Sequence, residues 1–178
     1  TVVHYKKPSS WSDVRCYSYT DDGKNPTGEW NTATVMTSEG DGWYKCTVPA
    51  PACYVMFHPT SNIAQEPGQG ASGYAASGEV WINNGAITFT STVITSHIDI
   101  ATGKKIASDV VSKKTKVTSS DTYTTSAVAG KNVITPLNAT GNYSAGVINV
   151  VYLYDSGEVP TTAPTTQPTT AQPSTSAT

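Results

Sequence analysis

The sequence predicts an all-β protein made of two small domains. Its 178 residues include 14 Gly and 11 Pro, which divide the chain into short segments at frequent turns. Within those segments Val, Ile, Thr and Tyr are abundant, and these β-branched and aromatic residues favour strands. Leu and Glu, which favour helices, are scarce. A chain of this length can hold one ordinary domain or two small ones, and we expect two.

The first informative strand lies at residues 14–19. Side chains alternate between the two faces of a strand, so Tyr17 and Tyr19 share a face, roughly 6.7 Å apart along the backbone. The other face carries Val14, Cys16 and Ser18, which are small enough to pack inward on a core. We therefore expect both tyrosines to point outward.

A polar loop at residues 20–29 follows this strand and ends immediately before Trp30. Its Asp, Asn, Pro and Gly residues are typical of turns, so the loop can bring Trp30 back over Tyr17 and Tyr19. Three such rings can form a platform for a sugar, but an outward tyrosine can also simply cover a neighbouring loop. The residues by themselves leave both interpretations open.

A series of motifs from Val3 to about Asn84 resembles the family 26 carbohydrate-binding modules, and it covers nearly half the chain. The matching pieces, in order, are Tyr5-Lys6-Lys7-Pro8-Ser9-Ser10-Trp11, Tyr17-Ser18-Tyr19, Gly28-Glu29-Trp30, Met36-Thr37, Gly40-Asp41-Gly42-Trp43-Tyr44, Tyr54-Val55-Met56-Phe57, Gln65-Glu66-Pro67-Gly68-Gln69 and Gly78-Glu79-Val80-Trp81. The resemblance implies a starch-binding antiparallel β-sandwich of jelly-roll or immunoglobulin-like form. It also implies that Tyr17, Tyr19 and Trp30 form the platform for an α-glucan.

The hydroxyl groups of a bound glucan need polar partners beside the platform. We expect Asp22, Lys24 and Gln65 to supply them. The segment at residues 58–64 is longer and less polar than the Asn/Gly turn of the family, so the hydrogen-bonding side of the site is the part that the resemblance defines least.

A second β region is predicted at residues 87–155, after the turn signal Asn83-Asn84-Gly85. Two strands stand out: one alternates Ile94, Ile98 and Ile100 with polar residues, and the other, at residues 147–154, places Ile148, Val150, Tyr152 and Tyr154 on one face. We expect these apolar faces to form the core. The pieces His97-Ile98-Asp99, Gly103-Lys104-Lys105, Asp121-Thr122-Tyr123, Ala139-Thr140-Gly141-Asn142-Tyr143 and Val151-Tyr152-Leu153-Tyr154 resemble mucin-binding-protein-like (MucBP-like) repeats. That resemblance implies a small ubiquitin-like (β-grasp) module, which we interpret as a spacer or as a second ligand site.

Residues 156–178 are rich in Thr and Pro, with prolines at positions 160, 164, 168 and 173. Regularly spaced proline opposes both helix and sheet, so this segment is predicted to be a semi-rigid linker. Such linkers resemble those of secreted bacterial polysaccharide-degrading proteins. We expect the three segments 1–86, 87–155 and 156–178 to be part of a longer extracellular or cell-surface protein with further modules.

Charge and cysteine content exclude several functions. A net charge of −2 with 13% charged residues provides no basic stripe for nucleic acid and no polybasic membrane patch, which favours a neutral partner. We also expect a monomer. Cys16, Cys46 and Cys53 lack the spacing of zinc sites, and we expect neither a metal nor another cofactor. Cys46 and Cys53 flank a short turn between adjacent strands, so a disulfide can be considered, but buried free thiols are favoured.

Catalytic motifs are absent from the sequence, which predicts no enzyme. The acidic side chains Asp21, Asp22, Glu39 and Asp41 lie in turn sequences rather than in a cleft. Trp11, Trp43 and Trp81 lie in strand-like contexts and are predicted to be buried. The predicted function is non-catalytic binding of α-1,4-glucans such as starch and malto-oligosaccharides. A cell-surface adhesin for host glycan or mucin, or an architectural spacer in a multi-protein complex, is the alternative.

Overall fold

The computed structural model describes residues 1–155, and the predicted linker at 156–178 lies outside the described residues. Over the described range the chain forms one 3₁₀ helix, Trp30–Thr32, and fourteen strands: β1 (Val2–Lys6), β2 (Arg15–Tyr19), β3 (Thr34–Val35), β4 (Thr37–Gly40), β5 (Trp43–Thr47), β6 (Ala52–His58), β7 (Tyr74–Ser77), β8 (Glu79–Asn83), β9 (Ala86–Asp99), β10 (Lys105–Val117), β11 (Thr122–Thr124), β12 (Val133–Ile134), β13 (Thr140–Asn142) and β14 (Gly146–Tyr154). The predicted all-β class is confirmed. Among residues 1–155 no helix is long and apolar enough to cross a membrane.

The N-terminal half is a sandwich of two sheets. The larger sheet has the strand order β12-β14-β9-β8-β1-β5-β4, and β10 also pairs with β9; the smaller sheet has the order β3-β2-β6-β7. Tyr5 and Ile82 from the larger sheet and Val55 and Phe57 from the smaller sheet are fully buried between them. The ring of Tyr5 stacks on that of Phe57, with centroids 3.8 Å apart. The packed core is consistent with the predicted β-sandwich.

The prediction of a purely antiparallel sandwich is wrong at one pair of strands. β1 lies between β5 and β8, and it pairs antiparallel with β5 but parallel with β8. The tight turn at Asp41 and Gly42 joins β4 to β5, whereas no short turn connects β1 to either neighbour. The direction of β1 is therefore set by its packing and not by a hairpin.

The predicted turn at Asn83-Asn84-Gly85 joins β8 to β9 in a tight hairpin. Asn84 and Gly85 both have positive φ, 47° and 79°, which is the conformation that two-residue hairpin turns require. β9 then continues for 14 residues, pairing first with β8, then in parallel with β14, and with β10 along its other edge. The large sheet thus runs through both halves of the chain, and the division into domains at residue 86 stays a prediction.

The predicted core face of β9 is wrong. Thr95, His97 and Asp99 are buried, at 4%, 3% and 3% exposure, whereas Ile100 is half exposed to solvent. Polar side chains can occupy this core because they find hydrogen-bond partners: His97 Nδ1 lies 2.8 Å from Tyr154 Oη, and Asp99 Oδ1 accepts from Thr102. On β14 the prediction is confirmed, because Val150, Tyr152 and Tyr154 are buried.

The tryptophans and cysteines complete the comparison with the sequence. Trp11 is buried as predicted, but Trp43 and Trp81 are only half-buried, because they lie on the outer face of the larger sheet.

The three cysteines are buried and free, which is the state that the sequence favoured. β5, which carries Cys46, and β6, which carries Cys53, are consecutive strands but lie in different sheets, contrary to the expected neighbouring pair.

Candidate functional site

Two tyrosines of β2 form the centre of the candidate site on the outer face of the smaller sheet. Cys16 and Ser18 are fully buried, whereas Tyr17 and Tyr19 are half-buried on the opposite face. Their ring centroids are 6.2 Å apart with an interplanar angle of 37°. Tyr19 Oη also accepts a hydrogen bond from the Gly73 N–H, at 2.9 Å. The alternation predicted from the sequence places both rings where a ligand can reach them.

Trp30 joins the tyrosines because the loop at residues 20–29 folds back over β2. Thr27 is buried, and its hydroxyl lies 3.0 Å from that of Ser18. Gly28 has φ 92°, and a Cβ there would come within 3.3 Å of the Thr32 carbonyl oxygen, so glycine allows this tight return. The Trp30 ring meets the Tyr17 ring at an angle of 60°, with centroids 5.3 Å apart.

Two further rings that the sequence analysis did not select lie on β6. Tyr54 is the register partner of Tyr19 and stacks on it, with centroids 5.1 Å apart. His58 lies under Trp30 with centroids 4.2 Å apart, and its Nε2 is 3.1 Å from the Trp30 carbonyl oxygen. The alternation of Tyr54 and His58 along β6 is the signal that could have found them. We call Tyr54, Tyr19, Tyr17 and Trp30, with His58 beneath, the aromatic row.

Polar side chains border the Trp30 end of the aromatic row. A depression of about 410 Å³ is lined by Trp30, Asn62, Ile63, Ala64, Gln65 and Gln69. The predicted residue Gln65 thus lies at the same depression as Trp30, and its side-chain amide donates to the Pro67 carbonyl at 3.1 Å. Asn62 and Gln69 were not predicted. Asn62 belongs to the segment at residues 58–64 that departs from the family pattern, and that departure was its available signal, whereas Gln69 belongs to one of the matching pieces.

Glu66 fixes the loop that carries Gln65 and Gln69. Its carboxylate accepts hydrogen bonds from the hydroxyls of Tyr5 and Tyr74, at 2.6 and 2.9 Å, and from the Gly85 N–H at 3.2 Å. Burial, together with the hydrogen bond to Glu66, raises the pKa of Tyr74 to about 12. Both tyrosines are therefore neutral donors at physiological pH, and the loop is tied to the sandwich core.

Asp22 and Lys24 lie in an exposed turn directly after β2. Lys24 Nζ is 2.5 Å from Asp22 Oδ2, and the Thr20 hydroxyl also donates to the Asp22 carboxylate. Hydrogen bonds from Lys24 and Thr20 lower the pKa of Asp22. These two side chains interact with each other and do not line the depression beside Trp30. Their contact with a ligand stays a prediction.

Together these features form a stacking surface with hydrogen-bonding groups at its edge. The ring faces offer apolar area, and the amides of Asn62, Gln65 and Gln69 can both donate and accept hydrogen bonds. Within residues 1–155 no group of three or more His, Cys, Asp or Glu side chains could hold a metal ion. The chemistry available at the site is the recognition of a ring with an apolar C–H face and hydroxyl groups at its rim.

Comparison with known proteins finds similarity in the region that carries the site. Residues 3–71 match the family model described as starch-binding module 26. Among solved structures, the chain is similar to CBM26 from a Bacillus halodurans amylase (24% identity, 47% of this chain and 85% of that chain, TM-score 0.42). It is also similar to the same module in complex with maltose (25% identity, 47% and 90% coverage, TM-score 0.43).

A third similar structure is CBMbc, of family CBM26, from Eubacterium rectale Amy13K in complex with maltoheptaose (17% identity, 81% of this chain and 66% of that chain, TM-score 0.33). No curated protein matches the chain. The family match spans every residue of the aromatic row and of the adjoining depression. The match to starch-binding module 26 agrees with the resemblance to family 26 that the motifs of this region indicate.

Proposed function

We propose that the aromatic row is the surface on which this protein binds starch and α-1,4-linked malto-oligosaccharides. The observation that carries the proposal is the angle between successive rings, which is 37° from Tyr19 to Tyr17 and 60° from Tyr17 to Trp30. An α-1,4-linked glucan curves, so rings set at angles match it better than the flat row that suits a straight chain. C–H patches of consecutive glucosyl units would stack on these rings.

The polar groups beside the row complete the proposed site. Gln65, with Asn62 and Gln69, lies where it can bind hydroxyl groups of a glucosyl unit stacked on Trp30. Asp22 and Lys24 extend from the turn after β2 and are the proposed partners for a longer chain. A shallow, open site of this kind is expected to bind in the micromolar to millimolar range, or about −8 to −4 kcal/mol.

Within a larger protein, the module would hold an extracellular bacterial starch-degrading enzyme on its substrate. The Thr/Pro composition of residues 156–178 supports a linker to further modules, and several weak modules acting together would give useful retention on starch. The second region, residues 87–155, is proposed to be a MucBP-like spacer. Its support is the part of the larger sheet in which the parallel strands β9 and β14 are flanked by β10 and β12.

Isothermal titration calorimetry with maltoheptaose tests the site, with cellohexaose as the control for linkage. We expect maltoheptaose alone to bind, and Trp30→Ala to lower the affinity by at least about tenfold, or 1.4 kcal/mol. Trp30→Phe, which keeps a ring at the same place, should retain more of the affinity. Unchanged affinity in a folded Trp30→Ala protein would refute the proposed site.

A further inference from the structure

The opposite outer face of the sandwich carries a second aromatic surface. Trp43 on β5 and Trp81 on β8 are half-buried and lie on either side of β1. Both point away from the core, because Tyr5 and Ile82, their inward-facing neighbours, are fully buried. With Asn83, Ala86, Thr88 and Lys116, the two tryptophans line a depression of about 230 Å³. The aromatic row lies on the other sheet and faces the opposite direction.

The ring of Trp81 is held in a fixed orientation. It stacks on His4 with centroids 4.7 Å apart and an interplanar angle of 7°. His4 Nδ1 lies 2.7 Å from Glu39 Oε2, and His4 Nε2 lies 3.3 Å from Glu79 Oε1. Glu79 is fixed in turn by the Thr90 hydroxyl, which donates to it at 3.0 Å. A ring held in place by its neighbours loses little entropy when a ligand stacks on it.

Hydrogen-bonding groups surround the two tryptophans. Lys116 Nζ lies 5.9 Å from the Trp43 ring centroid and 5.6 Å from that of Trp81, and Lys6 Nζ lies 5.8 Å from that of Trp43. Lys116 is exposed at an irregular position of β10, with φ 55°, so its ammonium group can turn toward a ligand. Together with the Asn83 amide, these ammonium groups, which lie over the rings, offer several donors at the two tryptophans.

The charges on this face indicate a neutral ligand. The carboxylates of Glu39 and Glu79 border His4 and Trp81, and they accompany the ammonium groups of Lys6 and Lys116. Carboxylates and ammonium groups are equal in number among these four residues, so neither an acidic nor a basic ligand is favoured, and a polyhydroxylated neutral ring meets donors, acceptors and aromatic faces at once.

We propose that Trp43 and Trp81 form a second α-glucan-binding surface, weaker than the aromatic row and facing away from it. The inference rests on the proposed function, because it assigns to this face the same class of ligand. Since the two surfaces lie on opposite sheets, one short oligosaccharide does not reach both. The chain would therefore hold two glucan chains and could bridge neighbouring chains in starch.

The four indole N–H signals of a ¹⁵N-labelled protein test this proposal, because each tryptophan reports on a different place. During titration with maltoheptaose we expect the Trp30 signal to move first. The signals of Trp43 and Trp81 should move at millimolar concentrations, which correspond to a binding free energy on the order of −4 kcal/mol. Trp11, at 6% exposure, is the internal control that stays in place. In Trp30→Ala the signals of Trp43 and Trp81 should still move.

Asn83→Ala and Trp43→Ala sharpen the assignment, since each removes a lining group and should raise the half-saturation concentration seen at Trp81 by about fivefold or more. The inference fails, and the proposed function stands, if only the Trp30 signal moves. If no indole signal moves, both fail. Equal movement of Trp43 and Trp81 with cellohexaose would overturn the assignment of the surface to α-glucans.

Discussion

The sequence Tyr-x-Tyr occurs on two strands, and the structure uses it in opposite ways. On β2, Tyr17 and Tyr19 face outward and the intervening Ser18 is fully buried. On β14, Tyr152 and Tyr154 are buried, at 2% and 1% exposure, and the intervening Leu153 is 37% exposed. Hydropathy alone would place serine outside and leucine inside. The same three-residue motif therefore forms an outward-facing surface in one region and part of the core in the other.

The partners of the hydroxyl groups explain the difference. Tyr154 Oη accepts from the Val128 N–H at 2.8 Å and contacts His97, while Tyr152 Oη lies 3.0 Å from the Thr125 hydroxyl. A buried tyrosine requires such internal partners. Tyr17 instead donates to Asn25 in the loop that carries Trp30, so its hydroxyl helps to fix the site while its ring stays accessible. A tyrosine pair becomes a platform where its hydroxyl partners lie at the surface.

Truncation of one ring in each pair should give the largest effects. Tyr152→Ala is expected to lower the free energy of unfolding by about 3–5 kcal/mol, because it leaves a cavity in the core. Tyr17→Ala should lower it by no more than about 1 kcal/mol, because the ring is only half-buried, yet it should weaken maltoheptaose binding by about tenfold. Urea unfolding and calorimetry measure the two quantities. Comparable destabilisation by the two variants would remove the contrast between the strands.

The ring geometry that the sequence predicted correctly depends on local features. The outward pair on β2 follows from alternation within one strand, and the return of Trp30 follows from turn residues in the adjoining loop. The second aromatic surface depends on contacts between distant segments, since Trp43 and Trp81 become neighbours only through β1. The buried polar face of β9 was missed for the same reason, because Tyr154, the partner of His97, lies on β14.

Removal of the hydroxyl group alone should produce a smaller difference in unfolding free energy between the two tyrosine pairs. Tyr154→Phe leaves the buried Val128 N–H and His97 without their partner, so we expect a loss of about 1–3 kcal/mol in unfolding free energy. Tyr17→Phe removes one partly buried hydrogen bond to Asn25 and should change stability by about 0.5 kcal/mol or less. Urea denaturation of both variants provides the comparison. A larger loss for Tyr17→Phe would mean that its hydroxyl, too, has a structural role.

The smallest effect is expected in the exposed turn after β2. Lys24→Ala removes the ion pair with Asp22, which is exposed to solvent, so the midpoint of unfolding should not change measurably. The affinity for maltoheptaose should fall by about twofold or less, because Lys24 does not line the depression beside Trp30. Gln65→Ala is the matched comparison, and its larger loss of affinity is expected because Gln65 does line that depression. Equal losses in the two variants would mean that Lys24 interacts with maltoheptaose as strongly as Gln65 does.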